Sequence, residues 1–392
     1  MDNVAELEEV VRNLAAIDNR GSATPGEYEA ALWLKDRFEE HGCLVTLDGS
    51  PAHGTYWWPM GIGAGLGTIA ALLGVLKHRI LSIFVAILSF ACLIDDVCSG
   101  PRILRKYFLP KKTCWNVVAR SGDQQADRTV VVIAHHDAPH TGAIFDQRAQ
   151  IFFGKHFPKI LEKINTAPPL YWPVIAGPAL VALGSLVRNK KLVLLGGFMS
   201  SVSTGIFADV GASPTNQGAN DNLSGVAGLV WLARQLNERP ISGLKVILAS
   251  CGSEESLQEG ISAFMEKYSH ELPIDKTYFI NLETVGSPEL LLLEGEGPIL
   301  MRDYQEPFKD FVANIAEQES ISITRGHRAR TTTDSLITSR KGYPTATFTS
   351  INQFKALSNY HLLTDTPDNL DWGTVENAAR LAHAIVRTLS IA

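Results

Sequence analysis

Residues 129–137 read Thr-Val-Val-Val-Ile-Ala-His-His-Asp, an apolar run that ends in two histidines and an aspartate. A short run of mostly β-branched residues is typical of a strand buried on both faces of a parallel sheet. We therefore predict a strand over 129–134. Its carboxyl end would present His135, His136 and Asp137 at the sheet edge where open α/β sheets place their sites.

Strands and helices alternate on both sides of this stretch. Further strands are predicted at 43–47, 113–119, 244–249, 277–282 and 345–349. Helices are predicted at 2–18, 25–42, 223–236, 260–268, 307–317 and 374–390. One helix start is marked by Thr24 as N-cap, Pro25 in the first turn and Glu27 as a capping-box acid. The pattern predicts an α/β fold with a mixed, mostly parallel central sheet flanked by helices.

Two hydrophobic hairpins interrupt this alternation. Apolar runs at 58–76 and 80–94 flank Lys77-His78-Arg79, and runs at 170–187 and 192–207 flank the basic segment 188–191. A membrane span needs roughly 17–25 apolar residues, which the first and third runs reach and the second and fourth barely do. Aromatic residues at the hairpin mouths and basic residues at the tips favour two inserted transmembrane hairpins. The alternative is two buried hairpins inside a soluble oligomer.

Composition excludes some classes of protein. Hydrophobic residues make up 45% of the chain and charged residues 19%, which indicates a large core rather than disorder. The net charge of -6 provides no basic surface, so we expect no nucleic-acid partner. Five scattered cysteines form no metal or disulfide pattern. The acidic start of the chain predicts no cleavable signal peptide.

Acidic and histidine residues follow several other predicted strands. Asp221 lies in a turn before a helix, Glu254-Glu255 and Glu283 follow strands, and His361 comes late in the chain. Imidazole and carboxylate groups suit Zn²⁺, and a shared carboxylate can hold two ions close together. Two histidines and three carboxylates would supply one bridge and two further ligands per ion. A fourth carboxylate would stay unligated to accept a proton from water.

The motifs resemble those of the M28 family of metallopeptidases, in the same order. Ala134-His135-His136-Asp137 is similar to the family's strand ending His-x-Asp. Residues 218–225 (Gly-Ala-Asn-Asp-Asn-Leu-Ser-Gly) are similar to its Asn-Asp-Asn turn. Glu254-Glu255, Asn281-Leu282-Glu283 and Tyr360-His361 complete the set. The resemblance covers about residues 4–390, apart from the two hairpins.

The resemblance implies a role for each of these residues. His135 and Glu283 would bind one zinc ion, Glu255 and His361 a second, and Asp221 would bridge them. Glu254 would be the general base, Asp137 would orient His135, and the Asp221–Asn222 peptide would be cis. The expected function is a zinc-dependent exopeptidase, an aminopeptidase that hydrolyses N-terminal peptide bonds through a metal-bridged water.

Three departures from the family pattern keep alternatives open. The segment between His135 and Asp221 is longer than in soluble members, and Leu257 stands where a glycine is usual. Glu283 replaces the common aspartate, and its different reach makes a site with one zinc ion as compatible with the sequence as a site with two. The alternatives are a glutaminyl cyclase, a carboxypeptidase-like hydrolase, or a non-catalytic binding module. His136 is predicted to be a bystander, and Asp334 either a residue near the site or a helix cap.

These expectations define a domain division. A discontinuous metallopeptidase domain comprises 1–55, 97–165 and 210–392, and the hairpin insertions comprise 56–96 and 166–209. The expected partners are peptide substrates and the lipid bilayer, with a homo-oligomer as a further option. An integral membrane protein with four spans is predicted. Because no signal peptide is predicted, we expect the catalytic domain on the cytoplasmic side. The basic hairpin tips argue against this placement under the positive-inside rule, but Arg102, Arg105, Lys106, Lys111 and Lys112 flank the catalytic side and offset them.

Overall fold

A computed structural model describes residues 3–391; residues 1, 2 and 392 of the predicted peptidase domain lie outside this range. Ten strands form a seven-stranded sheet and a small three-stranded one. They are β1 (Leu44–Ala52), β2 (Lys112–Gly122), β3 (Thr129–His135), β4 (Lys245–Cys251), β5 (Thr277–Leu282), β6 (Glu289–Leu292), β7 (Gly295–Glu296), β8 (Arg302–Asp303), β9 (Arg328–Ala329) and β10 (Thr345–Ile351).

The large sheet is mixed, with strand order β1-β2-β4-β3-β5-β10-β6. Strands β4, β3, β5 and β10 are parallel neighbours, whereas the pairs β1–β2, β2–β4 and β10–β6 are antiparallel. The predicted parallel character therefore holds for the centre of the sheet only.

The helices are α1 (Asn3–Ala15), α2 (Pro25–Glu40), α3 (Trp57–Val75), α4 (Arg79–Val97), α5 (Ile103–Phe108), α6 (Arg148–His156), α7 (Pro158–Leu161), α8 (Tyr171–Leu186), α9 (Lys190–Ala212), α10 (Ser224–Glu238), α11 (Glu259–Tyr268), α12 (Glu306–Gln318), α13 (Ser335–Arg340) and α14 (Trp372–Ile391). Strand β3 is buried on both faces. Val130 and Val132 face the core formed with α1, α2, α10 and α14, and Val131 and Ile133 face the core formed with α11. Helices therefore cover both faces of the sheet, as predicted.

The hydrophobic segments fold as helices α3, α4, α8 and α9, which pack into one four-helix bundle. Within residues 3–391, three helices are long and apolar enough to cross a membrane, with 19, 19 and 23 residues: α3, α4 and α9. Helix α8 is shorter, with 16 residues. Three helices rather than four are therefore candidate spans. The second and fourth runs, predicted to be marginal, form the long helices α4 and α9, whereas the third run, predicted to be long enough, forms the shorter helix α8. Helix α4 gains length from Arg79 and from polar residues at its end, and α9 extends to Ala212.

Small polar residues join the two hairpins near their tips. Ser82 on α4 donates to Ala70 O on α3 at 2.7 Å and lies 2.8 Å from the hydroxyl of Ser185 on α8. The Arg79 guanidinium donates to Ser185 O at 2.7 Å. Arg79 is thus a connection between hairpins as well as a basic tip residue. The sequence predicts two separate hairpins, whereas in the structure they pack together as one four-helix bundle.

Candidate metal centre

His135 lies at the end of β3, fully buried, where the predicted strand delivers it. Its Nε2 is 3.3 Å from Asp221 Oδ1 and 3.3 Å from Glu283 Oε1. Its Nδ1 is 3.3 Å from Asp137 Oδ1 on the opposite side of the ring. One ring nitrogen therefore faces two carboxylates, and the other is oriented by a third.

A second group of side chains shares Asp221 with the first. His361 Nε2 is 3.4 Å from Asp221 Oδ2 and 3.4 Å from Glu255 Oε2. The two oxygens of Asp221 thus face different histidines. The structure brings together all five predicted ligands, and the central carboxylate lies between the two groups.

The donor atoms fit divalent cations. Three groups of residues offer ligand atoms that all lie within 4.8 Å of one another: His135–Asp221–Glu283, His135–Glu254–Glu255 and Asp221–Glu255–His361. The Nε2 atoms of both histidines are buried without a hydrogen-bond partner. Nitrogen and oxygen donors in this number suit Zn²⁺, which binds three or four protein ligands.

Electrostatics also favour a cation here. Burial, followed by the charges of Asp221 and Glu254, raises the pKa of Glu255 well above its usual value. Burial and the charge of Glu283 do the same to the pKa of Glu254. Several buried carboxylates at this spacing repel one another, and a divalent ion would relieve that repulsion.

The loop that carries Asp221 is held by its own backbone. The N–H groups of Asn220 and Asp221 donate to Asp365, at 2.7 Å and 3.2 Å. The Asp221–Asn222 peptide is cis, as the family resemblance implies. Asn222 Nδ2 donates to Leu282 O at 2.8 Å, next to Glu283 on the neighbouring strand. These bonds fix two of the carboxylates relative to each other.

Asp137 holds the Glu254–Glu255 segment in place. It accepts hydrogen bonds from the backbone N–H of Glu254 at 3.0 Å and of Glu255 at 3.1 Å. The Ser22 hydroxyl donates to it at 2.7 Å. Although burial disfavours its ionised form, hydrogen bonding to His135 lowers the pKa of Asp137. An ionised Asp137 therefore orients His135 and the two glutamates together.

Glu254 is placed differently from the other acids. Its Oε2 is 4.0 Å from His135 Nε2, farther than the oxygens of Asp221 and Glu283. Its Oε1 accepts a hydrogen bond from Gln258 Nε2 at 2.8 Å. One oxygen is therefore tethered while the other faces the cluster.

His136 and Asp334 have different surroundings in the structure. His136 is buried away from the cluster, with Nδ1 2.9 Å from the Ser250 hydroxyl, so it is a bystander as predicted. Asp334 begins α13 without capping it. It is buried near His135, and burial raises its pKa to about 8. Of the two interpretations offered by the sequence, the structure supports a residue near the site.

Some residues around the centre were not predicted from the sequence. Gln258 tethers Glu254, and Thr284 Oγ1 donates to Asp221 Oδ1 at 3.2 Å. The Phe145 ring lies 4.3 Å from the His361 ring, between centroids. Thr284 was detectable because it directly follows Glu283. Phe145 was not, because it comes from the long segment that precedes the second hairpin.

Glu27 makes a further contact that its capping-box position does not predict. It accepts from Ala23 N at 2.8 Å, near the helix start, and from Ser253 N at 2.9 Å, next to Glu254. Burial raises its pKa to about 8. The amino-terminal helix is therefore tied to the segment that carries the glutamate pair.

Arg105 is also placed differently from the prediction. It is fully buried rather than at a membrane interface, with Nε 2.6 Å from Asp96 Oδ1 of α4 and Nη1 2.5 Å from Ser256 O. Its guanidinium is 3.6 Å from Glu259. The first hairpin is thereby connected to the segment that follows Glu255. Because it is buried, Arg105 is not one of the basic residues that offset the hairpin tips under the positive-inside rule.

A cleft with a volume of about 220 Å³ opens onto the centre. Its walls include four of the acidic residues, Asp221, Glu254, Glu255 and Glu283, together with Tyr360. The cleft is large enough for one amino-acid residue, and its acidic wall would attract an ammonium group.

This fold and this centre are those of an α/β protein with a metallopeptidase-like site. The chain belongs to Peptidase family M28, whose family model matches residues 183–386, just over half of the chain. The matched region contains four of the five candidate ligands, and His135 precedes it. No protein of curated function matches the chain in a sequence search.

Solved structures share the fold at low identity. A Zn-dependent exopeptidase from Parabacteroides distasonis is 14% identical with a TM-score of 0.58, covering 98% of this chain and 97% of that one. An aminopeptidase from Aneurinibacillus sp. strain AM-1 is 13% identical with a TM-score of 0.56, covering 99% and 94%. A glutaminyl cyclase from Bacteroides thetaiotaomicron is 12% identical with a TM-score of 0.56, covering 98% and 97%.

Proposed function

We propose that this chain is a membrane-anchored, zinc-dependent aminopeptidase that hydrolyses N-terminal peptide bonds. The observation that carries the proposal is the sharing of Asp221 between two donor groups, one with His135 and Glu283 and one with Glu255 and His361. Membership of a peptidase family and the likeness in fold to an aminopeptidase support it.

Each residue has a role in this proposal. His135, Asp221 and Glu283 would hold one zinc ion, and Asp221, Glu255 and His361 a second. When bound, the zinc ions would polarise the scissile carbonyl and lower the pKa of a water molecule. Asp137 keeps the His135 ring in the orientation that leaves its Nε2 free for the metal.

Glu254 would transfer the proton. Its tethered Oε1 fixes the side chain, and Oε2 faces the cluster, where it would accept a proton from the attacking water. The same oxygen would then return the proton to the leaving amine nitrogen. The acidic cleft wall would bind the substrate's free α-ammonium group, which favours cleavage next to the N-terminus.

The bundle would anchor this domain in a lipid bilayer. Apolar side chains on its outer surface are largely exposed, among them Ile80, Phe84 and Phe198, as expected of lipid-facing positions. We keep the division into a discontinuous peptidase domain and two inserted hairpins, with the catalytic domain on the cytoplasmic side. Short peptides are the proposed substrates, nucleic acid is not a partner, and self-association remains a prediction.

A glutaminyl cyclase is the second candidate, because a protein of that activity shares the fold to the same degree as the aminopeptidase. Glu283 reaches His135 as closely as Asp221 does, so the longer side chain leaves both donor groups complete. The two candidates therefore differ in substrate rather than in the residues present.

Metal analysis combined with a substrate screen tests the proposal. We expect purified full-length protein to contain zinc and to hydrolyse aminoacyl 4-nitroanilides but not N-blocked ones. Glu254→Gln should keep its zinc and lose nearly all turnover, whereas Asp221→Asn should lose both. Full activity of Glu254→Gln would contradict the assignment. Cyclisation of N-terminal glutamine peptides without hydrolysis would favour the cyclase.

A further inference from the structure

An apolar groove with a volume of about 830 Å³ runs along the outside of α8 and α9. Small residues of α8, such as Ala176 and Ala179, leave the space, and α9 lines it with a stripe spaced four residues apart, Phe198, Val202 and Ile206. The stripe extends over about 12 Å, at about 1.5 Å per residue. That length is close to the hydrocarbon depth of one leaflet of a bilayer about 30 Å thick.

The groove adjoins the candidate active site. Ile144, Pro168 and Leu170 line both the groove and the cleft that contains Glu254 and Glu255. These three residues belong to the segments between β3 and α8, outside the bundle. The groove is therefore not merely a gap between lipid-facing helices, because its inner end shares three wall residues with the cleft that contains the acids.

The chemistry of the groove selects its occupant. Its only hydroxyl belongs to Ser203, which donates to Met199 O at 2.9 Å and is thereby satisfied. A peptide backbone lying there would leave its N–H and C=O groups buried without hydrogen-bond partners, which is unfavourable. An alkyl chain carries no such groups and would bury methylenes instead.

We infer that the site acts on amphiphilic substrates, with a free aminoacyl head in the acidic cleft and one alkyl chain in the groove. The inference rests on the proposed aminopeptidase function and names its substrate class. The head carries an ammonium group that the cleft acids attract, so the tail extends from the leaving nitrogen. Hydrolysis adds one water across the amide bond, releasing the amino acid and a long-chain amine.

Trp172 and Arg330 lie where the head and the tail of such a substrate would meet, and their side chains suit that position. The Trp172 indole donates from Nε1 to Pro298 O at 3.1 Å, and the Arg330 guanidinium lies 5.2 Å from the centre of its ring. An amphipathic ring with a nearby cation is typical of the level of lipid headgroups. The polar head and the apolar tail would thus part at the height where a bilayer changes from polar to apolar.

The test measures chain-length dependence of leucine alkylamide hydrolysis by full-length protein in nanodiscs. For the wild type we expect kcat/KM to rise about twofold per methylene, since the groove is open on one side, and so about tenfold or more from butylamide to octylamide. Val202→Trp and Ala179→Phe fill the groove and should abolish this rise, so that the butylamide and the octylamide are hydrolysed with about the same kcat/KM. The matched control is Leu195→Trp, an equally exposed position of α9 outside the groove, which should keep the rise.

A binding measurement separates failure of the groove from failure of the proposed function. A brominated dodecylamide of leucine should quench Trp172 emission saturably, and both Ala179→Phe and Trp172→Phe should remove that component. An equal chain-length rise in all variants would overturn the groove and assign the effect to partitioning into the bilayer. If no leucine amide is hydrolysed, the proposed function falls, and quenching alone decides: a saturable signal lost in Ala179→Phe supports the groove, and an unchanged one overturns it.

Discussion

Leu257 allows a quantitative test of how the hairpins are joined to the centre. It has left-handed backbone, with φ 67°, at a position where the family resemblance predicts glycine. Its side chain is only 6% exposed and packs with Tyr56, Met60 and Leu93 of the first hairpin. The left-handed conformation costs a residue with a Cβ about 1–2 kcal/mol. Burial of the leucine side chain offsets that cost.

Two substitutions separate the cost of the left-handed backbone from the stabilisation by side-chain packing. Leu257→Ala keeps the backbone cost and loses the packing, about 2–5 kcal/mol. Leu257→Gly also loses the packing but removes the left-handed cost, against about 0.5–1 kcal/mol for the greater freedom of glycine in the unfolded chain. We therefore expect the glycine variant to be more stable than the alanine variant by about 0.5–1 kcal/mol, although both are less stable than the wild type.

Leu93 is the matched control, because it lies in the same cluster, is 0% exposed and sits inside α4. There glycine should be less stable than alanine by about 1 kcal/mol, the usual helix-interior difference. Thermal unfolding midpoints of the four variants, measured in one detergent, give the two comparisons. The reasoning would be refuted if the alanine variant were more stable than the glycine variant at position 257 by as much as it is at position 93.

Three further predictions concern groups around the centre. Asp137→Asn removes the negative charge beside His135 and replaces one of the two acceptor oxygens by an NH₂ donor, so it should weaken zinc binding by about 10–100-fold in chelator competition; unchanged affinity would contradict its positioning role. Arg105→Met leaves Asp96 buried without its cation and should lower the free energy of unfolding by about 3–5 kcal/mol, whereas the exposed Lys106→Met should change it by about 0.5 kcal/mol or less. Burial raises the pKa of Glu296 from 4.5 to about 8, so the folded state holds an extra proton between those values and stability falls as pH rises. Glu296→Gln should flatten that slope in unfolding midpoints measured across the same pH range, and an unaltered slope would refute the assignment.

Three of the five candidate ligands, His135, Glu255 and Glu283, could be predicted from the sequence because they lie at or shortly after strand ends. Apolar runs such as 129–134 determine where strands β3, β4 and β5 end, and parallel strands bring those ends to one edge. His135 and Glu283 can therefore be placed together without knowledge of the loops. The short strands β6 to β9 were not predicted, because two to four residues carry no periodicity that distinguishes them from loop.

Contacts between distant segments could not be predicted. Composition marks Arg105 as one of several basic residues near a hydrophobic run, which is typical of a membrane flank. Only the folded chain shows that it is buried between Asp96 and Glu259, because neither partner is near it in any local pattern. The same holds for the pairing of the two hairpins through Ser82 and Ser185. Such interactions depend on the path of the chain, which residue types alone do not specify.

The sheet topology explains why the bundle and the centre are neighbours. The second hairpin leaves the sheet after His135, at the carboxyl end of β3, and returns to Asp221. Strand β1 is antiparallel to β2, which is antiparallel to β4, so β1 runs parallel to β4 and its carboxyl end lies at the same edge. The first hairpin follows that end. Both insertions therefore emerge where the donor groups converge, and a bundle that entered a bilayer would bring the cleft to its surface rather than leave it facing bulk water.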